Sequence, residues 1–109
     1  MEPAVSFVLC TVPADSGSAL ADRLLESRLV ACVNLIGPVE SRFRWEGRID
    51  EADELLLVLK TTRELVPELI ARLAEWHPYD VPEALELPIS RGFAPYLAWV
   101  ADNCRHAPD

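Results

Sequence analysis

The chain lacks any concentration of positive charge, since its 109 residues carry 10 Lys and Arg against 18 Asp and Glu. Proteins that bind nucleic acids or anionic membranes use clustered lysine and arginine to neutralise phosphates. The net charge of -8 and the absence of a basic run therefore predict no nucleic-acid partner and no membrane partner.

Cysteine is also scarce, and Cys10, Cys32 and Cys104 lie far apart in the sequence. An odd number of cysteines argues against a disulfide framework, and the absence of a C-x-x-C pair argues against a structural zinc site. The apolar run at residues 5–12 is too short to span a bilayer and follows no basic leader. We therefore expect a reduced, cytoplasmic protein.

Glycine-rich loops that bind phosphate are missing as well. The loop PADSGS at residues 13–18 contains one glycine and no arginine. It matches neither a P-loop nor the arginine-bearing loop with which small enzymes hydrolyse acyl phosphates. The chain also has no internal repeat, and its length and its 50% of hydrophobic residues are typical of one globular domain. We expect that domain to span residues 1–109, with a frayed tail from about residue 104.

The spacing of apolar residues predicts an α+β domain with an antiparallel sheet. Helices are indicated where apolar residues recur every three or four positions, and strands where they alternate or run continuously. The first half of the chain is predicted to contain a strand at 5–12, a helix from the N-cap Asp15 or Ser16 to about 29, and a strand at 29–36 that bends at Gly37-Pro38 and continues through 39–45. A turn at Glu46-Gly47 follows. The second half is predicted to contain a strand at 55–59, a helix capped by Thr61-Thr62 that ends at Trp76, a strand at 81–89, and a helix at 94–103.

This β-α-β-β-α-β order with a C-terminal helix is the ferredoxin-like split β-α-β pattern. Pro82 and Pro88 have the same parity in the last strand, which predicts an edge strand. Each arm of the middle hairpin could reach on the order of 45 Å, whereas a domain of this size is only about 30 Å across. An overhanging hairpin with Phe43 and Trp45 on one face predicts an interface with another copy of the chain.

The segment HPYDVPE, at residues 77–83, contains residue types that bind metal ions. His77, Asp80 and Glu83 lie close together in the sequence, and Cys32 could join them only if the fold brings it there. A thiolate with an imidazole would suit copper or zinc. The alternative is structural, because a histidine at the C-terminal end of a helix interacts favourably with the helix dipole.

A catalytic interpretation pairs Cys32 as a nucleophile with His77 as its base. Cys32 lies in an apolar strand, where a thiol is usually inert packing, so we predict no catalytic residue and no enzymatic activity. Trp76 and Trp99 lie on helical stripes typical of a core. The acidic run at 50–54 is either a solvated segment or a cation site.

Four motifs follow one another along the chain, namely ACVNLIGPVESRFRWEG at residues 31–47, LKTT at 59–62, HPYDVPE at 77–83 and PYLAWV at 95–100. In order and spacing they resemble the CutA divalent-cation-tolerance family. The resemblance implies a cytoplasmic homotrimer of ferredoxin-like subunits with a PII-like architecture, linked to tolerance of divalent cations and above all copper. It implies Cu(II) or another divalent cation as a ligand, no obligatory cofactor, and no agreed catalytic activity.

Carried over by position, the resemblance implies a cleft between subunits. Phe43 stands where the family usually has tyrosine, and Asp80 where it usually has glutamate, which shortens that carboxylate by one methylene. The alternative function is that of a PII-like small-molecule sensor or protein-interaction scaffold without catalysis. The implied metal ligands are Cys32, His77, Asp80 and Glu83, the cleft residues are Trp45, Glu54, Lys60 and Tyr79, and the trimer interface includes Phe43 and Trp45.

Overall fold

The computed structural model describes residues 3–106 and contains four strands and three α-helices in the predicted order. A single 3-10 turn, Arg63–Leu65, joins the third strand to the second α-helix. The elements are β1 (Val5–Pro13), α1 (Gly17–Glu26), β2 (Cys32–Trp45), β3 (Arg48–Thr62), α2 (Val66–Trp76), β4 (Leu85–Pro88) and α3 (Ala94–Asp102).

The four strands form one antiparallel sheet in the order β2-β3-β1-β4. β4 lies at an edge of this sheet, as its prolines predicted. Its predicted length was wrong, because β4 pairs with β1 only from Leu85 to Pro88. The residues between 80 and 84, which include Pro82, are not part of the sheet.

The main core lies between one face of the sheet and the helices α1 and α2. Alternate residues of β1, namely Val8, Cys10 and Val12, are fully buried and belong to the same cluster as Leu24 of α1 and Leu69 of α2. Burying one such aliphatic side chain contributes roughly 1.5–3 kcal/mol to folding. These apolar residues fix the layer of helices on this side of the sheet.

A second core cluster attaches α3 to one end of the sheet. Leu97, Val100 and Cys104 point inward and pack with Val5 and Leu65. Cys104 is buried, and the backbone N–H of the next residue, Arg105, donates a hydrogen bond to the carbonyl of Arg28. The chain therefore stays packed beyond residue 104, where we had predicted a frayed tail. Residues 107–109 of that tail lie outside the described part of the chain.

The opposite face of the sheet is not covered by α1 or α2. Directly paired residues of antiparallel strands share a face, so Thr11, Leu56 and Ile36 lie side by side on this uncovered face. Ile36 is 50% exposed. We call this surface the open sheet face, and it consists of Leu9, Thr11, Ile36, Leu56, Val58, Leu85 and Leu87.

The hairpin formed by β2 and β3 overhangs the rest of the molecule, as predicted. Its pairing runs from Cys32–Lys60 to Trp45–Arg48, with a register shift between Ile36 and Val39. That shift contains the cis peptide bond Gly37-Pro38 and confirms the predicted bend. The molecule measures 48 × 25 × 23 Å along its principal axes.

Several boundaries of helices and strands differ from the predictions. α1 ends at Glu26 instead of residue 29, because Arg28 has φ of 61°, a left-handed conformation that cannot continue a helix. β2 accordingly starts at Cys32 instead of residue 29. The predicted cap of α2 was wrong, because Thr62 makes no capping hydrogen bond with its side chain. Pro67 lies in the first turn of α2, where its missing N–H costs no hydrogen bond.

The two helical tryptophans have different environments. Trp76 is partly buried against the main core, and the guanidinium of Arg23 lies 4.0 Å from its ring centroid. Trp99, which we predicted to belong to the core, is 44% exposed in this chain. It stacks on Tyr96 with 5.7 Å between the ring centroids. The prediction for Trp99 was wrong because the inward face of the short α3 is filled by Leu97 and Val100.

Candidate functional site

A groove of about 830 Å³ separates the overhanging hairpin from the segment that connects α2 to β4. Phe43 and Trp45 alternate along β2 and line the hairpin wall. Thr11 and Glu54, from β1 and β3, lie at the end of the sheet between the two walls. The connecting segment, residues 78–83, contributes most of the opposite wall.

Glu54 is the most buried charged group of the groove, with 5% of its surface exposed. Its Oε2 accepts a hydrogen bond of 2.8 Å from the hydroxyl of Tyr79. Within residues 3–106 its carboxylate forms no ion pair. Burial and the neighbouring Glu54 raise the pKa of Tyr79 to about 12. The phenol therefore stays protonated near neutral pH and remains a donor to Glu54.

His77 is buried beneath this segment, with 7% of its surface exposed. Its Nε2 lies 2.8 Å from the carbonyl oxygen of Thr11, and its Nδ1 accepts a hydrogen bond of 3.0 Å from the backbone N–H of Tyr79. Because a carbonyl only accepts, Nε2 carries the proton and donates it. Both ring nitrogens are thus occupied, and the backbone N–H of His77 also ends α2 by donating to Leu73.

The groove is strongly acidic. Its lining contains five carboxylates and one guanidinium, that of Arg42. Arg42 forms salt bridges with Glu40 at 2.7 Å and with Glu51 at 3.5 Å, both on the hairpin. The five acidic residues are Asp50, Glu51, Glu54, Asp80 and Glu83.

The predicted residues Cys32 and Lys60 lie at the other end of the sheet. They face each other across β2 and β3, in the same row as Phe7 of β1. Lys60 is six residues from Glu54 along β3, a separation of about 20 Å. Phe7 is four residues from Thr11, which contacts His77, so Cys32 and His77 are at least about 13 Å apart.

Lys60 is held between aromatic rings that sequence reasoning missed. Its Nζ lies 5.5 Å from the ring centroid of Phe7 and 5.8 Å from that of Tyr96. The parity of β1 could have placed Phe7 and Thr11 on the same face of the sheet, but the approach of α3 to Lys60 left no signal in the sequence. We call this region, with Cys32, Phe7, Lys60 and Tyr96, the lysine end of the sheet.

The predicted site residues therefore fall into two groups in one chain. The groove brings together Phe43, Trp45, Glu54, Tyr79, Asp80 and Glu83, while Cys32 and Lys60 lie at the lysine end. Across residues 3–106, no three His, Cys, Asp or Glu side chains are grouped so that they could hold one metal ion.

The chain belongs to the class of small α+β proteins that have a four-stranded antiparallel sheet and three helices. Within this class it is distinguished by its overhanging hairpin and its acidic groove. A family model described as CutA1 divalent ion tolerance protein matches residues 6–103. The chain therefore belongs to the CutA1 divalent ion tolerance family.

Individual relatives agree with this assignment. The Divalent-cation tolerance protein CutA of Thermus thermophilus is 44% identical over 97 residues, which cover 88% of this chain and 94% of the relative. The crystal structure of CutA1 from Oryza sativa has a TM-score of 0.93 at 36% identity and covers 97% of this chain and 98% of the other. The PII-like protein CutA from Nostoc sp. PCC 7120 has a TM-score of 0.88 at 29% identity, covering 92% and 97%.

The names of relatives point to more than one cellular compartment. A relative from Arabidopsis thaliana, 38% identical, is named as chloroplastic, although this chain covers only 55% of its length. A similar structure from Archaeoglobus fulgidus, with a TM-score of 0.87 at 35% identity over 91% of this chain and 97% of the other, is described as periplasmic. Among the described residues, no helix is both long and apolar enough to cross a membrane.

Proposed function

We propose that the chain forms a homotrimer of ferredoxin-like subunits, each a single domain of residues 1–109, and acts in the cytoplasm. The strand order β2-β3-β1-β4 and the β-α-β-β-α-β succession support this topology. The open sheet face and the half-exposed Phe43 and Trp45 on the overhanging hairpin support assembly, because an apolar surface of this kind usually marks an interface.

We further propose that the assembled protein binds a divalent cation in a cleft between subunits, with Cu(II) as the preferred ion. The observation that carries this proposal is the acidic groove, where Asp80 and Glu83 are exposed beside the buried Glu54. Cys32 is too far away to share an ion with them in one chain, so its participation requires a neighbouring copy. His77 could join only by giving up one of its two ring hydrogen bonds.

Isothermal titration of the reduced protein with Cu(II) and Zn(II) tests this proposal. We expect a Cys32→Ser/His77→Ala double variant to bind Cu(II) more weakly than the wild type, and an Asp80→Asn/Glu83→Gln variant to do the same. If both variants bind Cu(II) like the wild type, the proposed ligands are wrong.

A second candidate function is that of a PII-like small-molecule sensor or scaffold without catalysis. The volume of the groove, about 830 Å³, favours it, because pockets for small organic ligands usually measure about 300–1,000 Å³. The similarity to a structure described as PII-like also supports it. A thermal-shift screen of metabolites tests this function, because a ligand that binds only the folded state raises the melting temperature.

A further inference from the structure

We propose that the groove binds an organic ammonium ion, with Glu54 as its buried counter-charge and Trp45 as its aromatic contact. This inference rests on the second candidate function, in which the groove is a small-molecule site, and it specifies the chemical class of the ligand.

The charge of the groove selects a cation. The lining contains five carboxylates and one guanidinium, and that guanidinium already contacts Glu40 and Glu51 on the hairpin. A cleft lined by charges of one sign concentrates ligands of the opposite sign. An anionic ligand such as a nucleotide would meet repulsion along both walls.

The burial of Glu54 gives this charge a specific position. Only 5% of the surface of Glu54 is exposed, and within residues 3–106 its side chain has one hydrogen-bond partner, the neutral hydroxyl of Tyr79. Charged groups are normally buried only when a partner compensates them, because leaving water is strongly unfavourable for an ion. Since Tyr79 occupies Oε2, the remaining oxygen, Oε1, is the atom that we assign to the ammonium group.

Within one chain, the walls of the groove fit an organic cation better than a bare metal ion. Trp45 and Phe43 are half-exposed and line the groove on the same side of the hairpin. The face of a tryptophan ring attracts ammonium groups, and its apolar surface also packs against methylene groups. A bare divalent ion needs several convergent ligands, which one chain does not supply among its described residues. A groove of about 830 Å³ is also far larger than an ion.

Titration calorimetry with 1,4-diaminobutane as the probe tests the proposal on the full chain. We expect saturable binding by the wild type, and affinity at least about tenfold weaker in Glu54→Gln, which removes one charge–charge contact. Glu26→Gln removes the same charge from the exposed end of α1, away from the groove, and should leave the affinity unchanged. Trp45→Leu keeps an apolar side chain but removes the aromatic face, and should also weaken binding.

Two further measurements separate this site from general attraction of cations. The neutral analogue 1,4-butanediol has the same chain length and should not bind at concentrations that saturate the wild type with the diamine. Light scattering of Glu54→Gln should match the wild type, and urea unfolding should give a free energy of unfolding no lower than that of the wild type, because the variant removes a buried charge. These two results exclude misfolding as the cause of weaker binding. The proposal is overturned if Glu54→Gln and Glu26→Gln bind the diamine equally well, or if the diol binds as tightly as the diamine.

A parallel Cu(II) titration of the same wild-type sample distinguishes failure of this inference from failure of the proposed metal site. Binding of Cu(II) without binding of 1,4-diaminobutane overturns the ammonium site alone. Binding of the diamine through Glu54 without binding of Cu(II) overturns the metal site alone. If Glu54 is compensated by a cation from a neighbouring copy, the diamine does not bind, and the proposal fails.

Discussion

Two adjacent threonines at the end of β3 show how the surroundings of one hydroxyl decide its contribution to stability. The buried Thr61 donates a hydrogen bond of 2.7 Å from Oγ1 to the carbonyl of Leu29. The hydroxyl of Thr62 is also buried, but within residues 3–106 it has no partner. A buried polar atom without a hydrogen bond lowers the free energy of unfolding, whereas a buried and bonded one usually raises it.

We therefore predict opposite effects for the same substitution at these two positions. Thr62→Val should raise the free energy of unfolding by about 1 kcal/mol, because it replaces an unbonded hydroxyl with a methyl group of similar size. Thr61→Val should lower it by about 1–2 kcal/mol, because it leaves the Leu29 carbonyl without its donor. Urea denaturation at one protein concentration measures both. Destabilisation by Thr62→Val would contradict the prediction.

The thiol of Cys10 makes stability dependent on pH under alkaline conditions. Burial, followed by the charges of Glu83 and Glu54, raises its pKa from 9.0 to about 12. From about pH 9 to pH 12 the unfolded chain has lost this proton while the folded chain keeps it. The free energy of unfolding should therefore fall as the pH rises, by at most about 1.4 kcal/mol per pH unit for this group. Below pH 9 its contribution should be constant.

Unfolding of Cys10→Ala across the same pH range isolates this effect. The variant loses the titrating group, so its stability should decline less steeply between pH 9 and pH 12 than that of the wild type. Val8→Ala removes neighbouring core volume without removing a titrating group, and it should keep the slope of the wild type. Equal slopes for Cys10→Ala and the wild type would rule out Cys10 as the source.

At the scale of single elements, the tip of the hairpin has a sequence that does not match its turn. Glu46 and Gly47 form a two-residue connection between Trp45 and Arg48, with φ of 50° and 76°. Positive φ at both positions is typical of a type I′ turn, where Asn-Gly is strongly preferred. Glu46 therefore adopts a left-handed conformation that is unfavourable for a glutamate.

We predict that Glu46→Asn raises the free energy of unfolding by about 0.5–1 kcal/mol, because asparagine tolerates positive φ. Gly47→Ala should lower it by about 1 kcal/mol, and the cause would be conformational because a Cβ there meets no atom within 4 Å. Thermal unfolding of both variants measures the difference. Equal melting temperatures for the two variants would show that turn conformation does not limit stability.

The elements differ in how far sequence could predict them. The alternation of Phe43 and Trp45 and the apolar stripe of α2 predicted those elements because side-chain period is a local property. The ends of α1 and β4 were mispredicted because they depend on the left-handed Arg28 and on where β1 stops pairing. Neither is visible in local spacing.

The candidate site shows the same limit. The ligand-type residues of the groove could be found from the HPYDVPE segment and the hairpin pattern. The hydrogen bonds that these residues make could not be predicted from the sequence. Thr11 is far from its partner His77 along the chain, and Glu54 is far from its partner Tyr79. The separation of Cys32 from the groove likewise appears only once the register of β2 against β3 is known.

At the scale of the whole molecule, the proposed assembly and the proposed ligand binding involve the same side of the sheet. Thr11 lines the groove and also belongs to the open sheet face, in one row with Leu56 and Ile36. A neighbouring copy that covers the open sheet face therefore approaches the groove as well. We infer that the proposed trimer, once formed, holds the hairpin wall of the groove in place.

The test of this assembly is a charge placed on the open sheet face. Ile36→Asp should dissociate the proposed trimer, because a buried carboxylate at an apolar interface is strongly unfavourable. Leu25→Asp is the matched control, since Leu25 is 39% exposed on α1 in the opposite layer and Ile36 is 50% exposed. Light scattering should give the mass of three chains for the wild type and Leu25→Asp, and that of one chain for Ile36→Asp.

The same variant tests the link between assembly and the groove. Since dissociation also frees the hairpin wall, Ile36→Asp should bind 1,4-diaminobutane more weakly although every groove residue is unchanged. A wild-type monomer, or an Ile36→Asp trimer, would show that the open sheet face is not the interface.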